Sequence, residues 1–425
     1  MTAGENDRAH LPALDGLRGA AILMVLVMHL SERFFFLANP WRRIAVLGYA
    51  GWTGVDLFFV LSGFLITGIL WESRTSTHYF RNFYARRTLR LFPLYYITLI
   101  VIFVMLPTLL PLFHGGSFIE RAIADRIMVL KATSAYWPWY FSYSADFLFA
   151  IGGFIFPAHF WTLAVEEHFY LVWPFVVHRV RHLNLIRVTT WIIIGTFILR
   201  CCLIKFLRPN GIYCLTFCRM DGLAMGAMIA LVLRQENGLA ILMSRVRYLF
   251  PVIAVLCCIE MLIERGCWSQ YGFLQQTVGF TLAPALFACV LVKTLAEKRW
   301  AGALSSGVLR FLGKYSYGIY VIHPFVLDYS RHLFTLDCPG HFSIITDVLL
   351  KGHAAPRVAG VLDGACFVIV ALGLSLLGAL VSWRVIELPF LQMKRWFPYE
   401  KRVPSNGADL VLSAAEKSGA VSGAE

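Results

Sequence analysis

Apolar stretches close to membrane-spanning length recur along the chain, near 11–31, 51–71, 92–112, 159–177, 188–204, 218–233, 248–263, 271–292, 315–336 and 361–383, with polar segments between them. A bilayer-spanning helix needs about 20 mostly apolar residues, and these runs read in order as ten candidate spans. The expectation is an all-α, polytopic integral membrane bundle of about ten transmembrane helices. Residues 1–10 form a short tail, 11–395 the membrane domain, and 396–425 a small-residue, polar stretch (Pro404, Ser405, Asn406, Gly407) expected to be a disordered tail. The first apolar run follows Glu5 and Asp7, shows no small-residue cleavage site and carries Asp15, Arg18 and His29, so it is expected to stay in the mature protein. The longest exterior segment, about 113–158, holds aromatics from Tyr136 to Tyr143 that either cap a site on the outer face or anchor the interface. There is no internal repeat and no second soluble domain in this reading.

Composition narrows the class. Of 425 residues, 58% are hydrophobic and 15% charged, against about 25% charged in a soluble domain, which excludes a water-soluble enzyme. The net charge of +13 would raise the question of nucleic acid in a soluble protein; here it reports topology. With both termini inside, the tails and inner loops hold 24 of the 38 Lys and Arg. The positive-inside rule therefore places both termini in the cytoplasm, as in a bacterial inner (plasma) membrane protein, with no nucleic-acid partner. Among ten Cys there is no C-x-x-C pair, and no metal site is expected. Cys201, Cys202, Cys257, Cys258, Cys289 and Cys366 read as packing residues, while Cys214, Cys218, Cys267 and Cys338 fall near exterior loops, where a disulfide is open.

Ionisable side chains within apolar spans are costly and usually face the bundle interior. Arg18 and His29 are eleven residues apart, three turns plus about 20°, so they share a helix face about 16 Å apart along the axis. Asp15 lies one turn before Arg18 and can pair with it. The imidazole sits deeper, where its uncharged form can take a proton from a hydroxyl; a hydrogen bond to a neighbouring helix is the structural alternative. Arg87 and Arg90 face one way if their segment is helical, which suits bidentate phosphate contacts at a membrane edge and equally a topology signal. In the run from Phe160 to Tyr170, Glu166 and Tyr170 share a face and Glu167 points about 100° away. Two acids there need partners, for catalysis or for a structural salt bridge.

Weaker signals remain. Asp56 precedes Ser62 and Gly63, a small pair suited to close helix packing. Arg219 and Asp221 open the sixth span as an internal pair or a ligand contact. Ser316, Tyr320 and His323 fall on one face before Pro324, as cavity lining or as packing. His323 with Asp328, and His332 with Asp337, match an H-x4-D spacing that is unsurprising by chance. No P-loop, zincin or G-x-S-x-G motif is present.

Together, five segments resemble the acyltransferase-3 family of integral membrane O-acyltransferases. They are Leu14-Asp15-Gly16-Leu17-Arg18-Gly19 continuing to His29 (R-x10-H), the run from Gly54 to Phe64, Arg87-x-x-Arg90 with Pro93, Trp161 to Tyr170, and Tyr315 to Tyr320. Thr162 stands where Ser is usual and His168 where Gln is common. The resemblance implies transfer of an acyl group, most often acetyl, from cytoplasmic acyl-CoA to a hydroxyl of a cell-surface carbohydrate or lipid-linked sugar. Acyl-CoA is then a donor substrate and no cofactor is permanently bound. Arg18, Arg87 and Arg90 would hold the coenzyme's phosphates. His29 would act as general base, by direct transfer or through a covalent acyl-histidine, with Glu166 or Asp15 orienting the site. Asp56, Glu167, Tyr170, Ser316, Tyr320 and His323 would bind substrate or support the site. Some family members carry a C-terminal esterase-like domain; this chain is expected to lack one and to deliver the group directly or to a separate periplasmic partner. The competing readings are a transporter or flippase of a lipid-linked sugar, and the other class of membrane-bound O-acyltransferases, in which His323 rather than His29 would be essential.

Overall fold

The computed structural model describes residues 11–31, 46, 48–109, 132–152, 156–264, 269–331 and 356–399. Helices dominate, and no strand occurs among the described residues. The principal helices are α1 (Pro12–Ser31), α2 (Gly54–Glu72), α3 (Tyr79–Ile100), α4 (Ala145–Gly152), α5 (Trp161–Arg179), α6 (His182–Leu203), α7 (Met220–Val232), α8 (Gly238–Ile263), α9 (Phe280–Ala296), α10 (Gly307–Arg331), α11 (Pro356–Ser382) and α12 (Leu388–Gln392). Among the described residues each of the ten apolar runs falls on helix, and seven helical segments are long and apolar enough to cross a membrane. The other three runs lie on α5, α7 and α10. α7 has only 13 residues, about 20 Å of rise against a hydrocarbon core of about 30 Å. α5 and α10 are long enough, at 19 and 25 residues, but too polar, since they carry Glu166 and Glu167 or Arg310 and Lys314.

Inner and outer helices separate by burial. In the most apolar window of the segment containing α2, 67% of residues are buried, against 17% in α8 and 22% in α6. The outer two present Trp191, Ile198, Val252, Val255 and Leu262 outward, as helices facing lipid do. α1 packs on α10 and α2 on α7, each pair running in the same direction. Gly16 and Gly19 of α1 meet Leu304 and Leu309, and His29 thirteen residues after Gly16 meets His323. For α2 and α7, Asp56 meets Arg219 at one end and Glu72 meets Arg234 at the other. Such contact between parallel helices requires intervening crossings. It also requires small residues at the crossing points: a Cβ on Gly63 would stand 1.9 Å from the Leu223 carbonyl oxygen, and one on Gly313 1.9 Å from that of Asp15. The packing role expected of Gly63 is the one it has.

Two boundaries differ from the sequence expectation. The third crossing starts well before residue 92, because α3 begins at Tyr79 and runs through Pro93; the segment near 72–90 is therefore largely helix. At the C-terminal end, residues 396–399 lie against α3. The Asn82 amide donates to the Pro398 carbonyl oxygen at 2.7 Å, Arg86 donates to that of Phe397 at 3.0 Å, and the Arg86 guanidinium covers the Tyr399 ring at 4.7 Å. The remainder of the expected tail, like residues 1–10 and the His332–Asp337 pair, lies outside the described residues.

Candidate active site

A cavity of about 220 Å³ opens among α1, α2, α3, α5 and α10. Phe58, Phe59, Leu61, Leu65 and Ile66 of α2 give it an apolar wall, and its polar lining includes Arg18, Ser62, Arg87, Arg90, Thr162, Glu166, Tyr170, Ser316 and Tyr320. Helix periodicity explains the convergence. Arg87 and Arg90 are one turn apart on α3 and reach the same space, as do Glu166 and Tyr170 on α5 and Ser316 and Tyr320 on α10. Arg18 Nη1 donates to Asp15 Oδ1 at 2.8 Å. The Arg87 guanidinium stands 5.4 Å from the Tyr170 ring, within the range of cation–π attraction. The Tyr170 hydroxyl is 2.6 Å from Ser62 Oγ. Glu166 is within electrostatic reach of Arg87 and Arg90. Among the described residues, three guanidiniums thus face a space lined by a single carboxylate, with Asp15 offsetting Arg18, and the balance favours an anion.

Tyr320 belongs both to this cavity and to a second polar cluster. Its hydroxyl is 2.6 Å from Thr162 Oγ1 and donates to the His159 carbonyl oxygen at 3.0 Å. Behind it are three imidazoles: His323 lies 5.0 Å from His29, 6.0 Å from His159 and 5.8 Å from the Tyr320 ring, centre to centre. His29 Nδ1 is 3.0 Å from the Val25 carbonyl oxygen. A carbonyl only accepts, so Nδ1 carries the hydrogen, and in the uncharged ring Nε2 keeps its lone pair. That is the tautomer a general base needs.

The sequence-derived residues fall into three groups. Arg18, Arg87, Arg90, Glu166, Tyr170, Ser316 and Tyr320 share the cavity, and Asp15 holds Arg18 there. His29 and His323 meet each other instead, with Val25 and Ile319 as their backbone partners. Asp56 and Glu167 do neither. Asp56 Oδ1 accepts from Arg219 at 2.5 Å in a site where both side chains are buried. Glu167 turns away from the cavity toward Tyr95, Tyr143 and Tyr317. Arg219 and Asp221 do not pair internally: Asp221 accepts from Arg200 of α6 at 2.8 Å, because Arg219 and Asp221, two positions apart, leave α7 in different directions.

Several contributors carry weaker sequence signals. Ser62 reads as packing, yet its hydroxyl lines the cavity. His159 stands just before the Trp161–Tyr170 motif and is buried, with Nε2 3.2 Å from the Val321 carbonyl oxygen. His168, the departure from the family's usual Gln, has Nδ1 2.8 Å from Thr216 Oγ1, which donates to Asp146 Oδ2 at 2.6 Å. Part of the aromatic run is core: Tyr140 is buried and Tyr143 stacks on Tyr95 at 4.2 Å, while Trp137 and Trp139 are exposed. Cys214 and Cys218 are buried free thiols; Cys267 and Cys338 lie outside the described residues.

The fold defines a polytopic helical membrane bundle with a basic, partly apolar cavity. The family profile described as an acyltransferase domain matches residues 11–384, and the chain belongs to the acyltransferase-3 family. Among curated proteins, it is 25% identical over 353 residues to the peptidoglycan O-acetyltransferase OatA of Listeria monocytogenes, covering 80% of this chain and 53% of that protein. It is 27% identical over 371 residues to the O-acetyltransferase OatA of Staphylococcus aureus, covering 81% of this chain and 55% of that protein. The chain spans about half the length of these relatives. No solved structure matches it.

Proposed function

We propose that this protein moves an acyl group, in the first instance acetyl, from acyl-CoA to a hydroxyl of a cell-wall or other cell-surface carbohydrate. The observation that carries the reading is the convergence of Arg18, Arg87 and Arg90 on one cavity in a chain of this family. A coenzyme A thioester has an anionic phosphate end and a thin, mostly uncharged arm. Guanidiniums suit the first, and the apolar wall of α2 suits the second. Relatives named as O-acetyltransferases, one of them for peptidoglycan, support acetyl and a carbohydrate acceptor.

In this reading Arg87 and Arg90 bind phosphate, Arg18 is positioned by Asp15, and Glu166 orients the arginines. His29 Nε2 takes the proton of the acceptor hydroxyl as its oxygen attacks the thioester carbonyl carbon. The positive-inside bias puts the arginine end and both termini in the cytoplasm of a bacterial inner membrane. The donor then enters from the cytoplasm and the acceptor, or a separate periplasmic partner, meets the group deeper in the bundle.

The test is coenzyme A release from acetyl-CoA by protein in nanodiscs supplied with peptidoglycan fragments or chito-oligosaccharides. Wild type should release thiol and form an acetyl ester. His29→Ala should reduce turnover about a thousand-fold, and Arg87→Ala/Arg90→Ala should act chiefly on the KM for acetyl-CoA. Absence of thiol release with every acceptor and acyl-CoA would overturn the reading in favour of transport, and a fully active His29→Ala would remove the base.

A further inference from the structure

The imidazole of His323 is fully buried on α10, and its Nε2 has no hydrogen-bond partner among the described residues. Buried polar atoms are nearly always satisfied, so an orphan at the centre of a bundle calls for a reason. Its Nδ1 lies 2.9 Å from the Ile319 carbonyl oxygen. As at His29, the carbonyl can only accept, so Nδ1 carries the hydrogen and Nε2 is a bare lone pair. α1 and α10 therefore each pin an imidazole to their own backbone four residues back and hold the two rings edge to face, with centres 5.0 Å apart.

Among the described residues, none supplies His323 Nε2 with a donor. The Tyr320 hydroxyl is committed to the His159 carbonyl oxygen and Thr162. His159 is fixed in the opposite tautomer, since its Nε2 donates to the Val321 carbonyl oxygen. A donor arises when His29 is protonated on Nε2. The new N–H then has an uncharged, previously idle acceptor on the neighbouring ring, whose centre is 5.0 Å away.

We propose that His323 is a positioning residue for proton transfer, sharing with His29 the proton taken from the acceptor hydroxyl and holding the resulting imidazolium in place. The inference rests on the reading of His29 as general base. The acceptor O–H bond breaks and its proton goes to His29 Nε2, while the oxygen bonds to the thioester carbonyl carbon. The carbon–sulfur bond then breaks and its electron pair leaves on the coenzyme's sulfur. The proton, held between His29 Nε2 and His323 Nε2, passes to that sulfur and gives the thiol. Both imidazoles return to their starting tautomers with their Nδ1–H bonds intact, and nothing is oxidised or reduced.

The experiment compares wild type, His323→Phe and His323→Gln in nanodiscs, with acetyl-CoA and chito-oligosaccharide as substrates. Phe keeps a ring without a lone pair; Gln returns an acceptor oxygen. Expected are a kcat lowered about a hundred-fold in His323→Phe, a KM for acetyl-CoA within about twofold of wild type, and recovery to within about tenfold in His323→Gln. A Phe variant at the wild-type kcat overturns the proposal, as does a Gln variant no better than Phe. If His323→Phe does not assemble, His323→Gln decides alone: a kcat lowered about a hundred-fold in that variant overturns the proposal. Wild type that forms no ester overturns this inference together with the function it rests on. Active wild type, inactive His29→Ala and fully active His323→Phe overturn this inference alone.

Discussion

Arg18 and Arg219 are both arginines bonded to an aspartate inside an apolar bundle, but one faces open space and the other is sealed. Arg18 and Asp15 belong to the same helix, and Arg18 lines a cavity. Arg219 and Asp56 come from different helices and are almost wholly enclosed. The Arg219 guanidinium lies 4.3 Å from the Phe280 ring centre and within 6 Å of Phe59, Trp161 and Tyr213. Beside it, Arg200 ties Asp221 and the Cys218 carbonyl oxygen, so α2, α6 and α7 meet at a node of closed pairs. Burial makes a closed pair intolerant of losing one member, whereas a charge left facing a cavity can exchange partners with a ligand. Position relative to empty space, more than residue type, separates a structural charge from a chemical one.

The sharpest way to break this comparison is to remove one member of each pair. Arg219→Leu leaves the Asp56 carboxylate buried and unpaired, and should cost about 3 to 5 kcal/mol of stability, seen as a lower melting temperature and poor recovery from detergent. Arg87→Ala/Arg90→Ala should leave the melting temperature close to wild type and raise the KM for acetyl-CoA about ten- to a hundred-fold, the range of one or two charge-assisted hydrogen bonds. If the arginines of the cavity matter as much to folding as Arg219, the distinction fails. Next in size, Asp56→Leu/Arg219→Leu should recover much of what Arg219→Leu loses, because no charge remains unpaired; thermal melting of the three proteins reads this directly. The smallest effect belongs to Tyr170→Phe, which removes a hydroxyl on Ser62 worth about 0.5 to 1.5 kcal/mol. It should change acetyl-CoA affinity a few-fold at most, measured by equilibrium binding.

Local spacing was legible in the chain wherever a single helix decides geometry. Asp15 with Arg18, Arg87 with Arg90 and Glu166 with Tyr170 are each a turn apart, and each pair lies on one face as the 3.6-residue repeat requires. Ser316 and Tyr320 follow the same rule. His323 continues their face yet leaves the cavity for His29, because one stripe of a 25-residue helix touches different neighbours along its length. Arg219 and Asp221 show the limit more strongly, since their partners Asp56 and Arg200 lie on other helices at separations no local pattern encodes.

By itself, the sequence determined that the chain is an all-helical membrane bundle, where its apolar segments fall and which short motifs carry charge into them. These follow from the free energy of placing side chains in lipid and from helix periodicity, both of which are local properties. Only the tertiary structure decided that α1 lies along α10 and α2 along α7, that three arginines share one cavity, and that two imidazoles face each other. Those outcomes depend on which small residues let backbones approach and on how buried charges are satisfied across helices, and these terms exist only once the helices have packed.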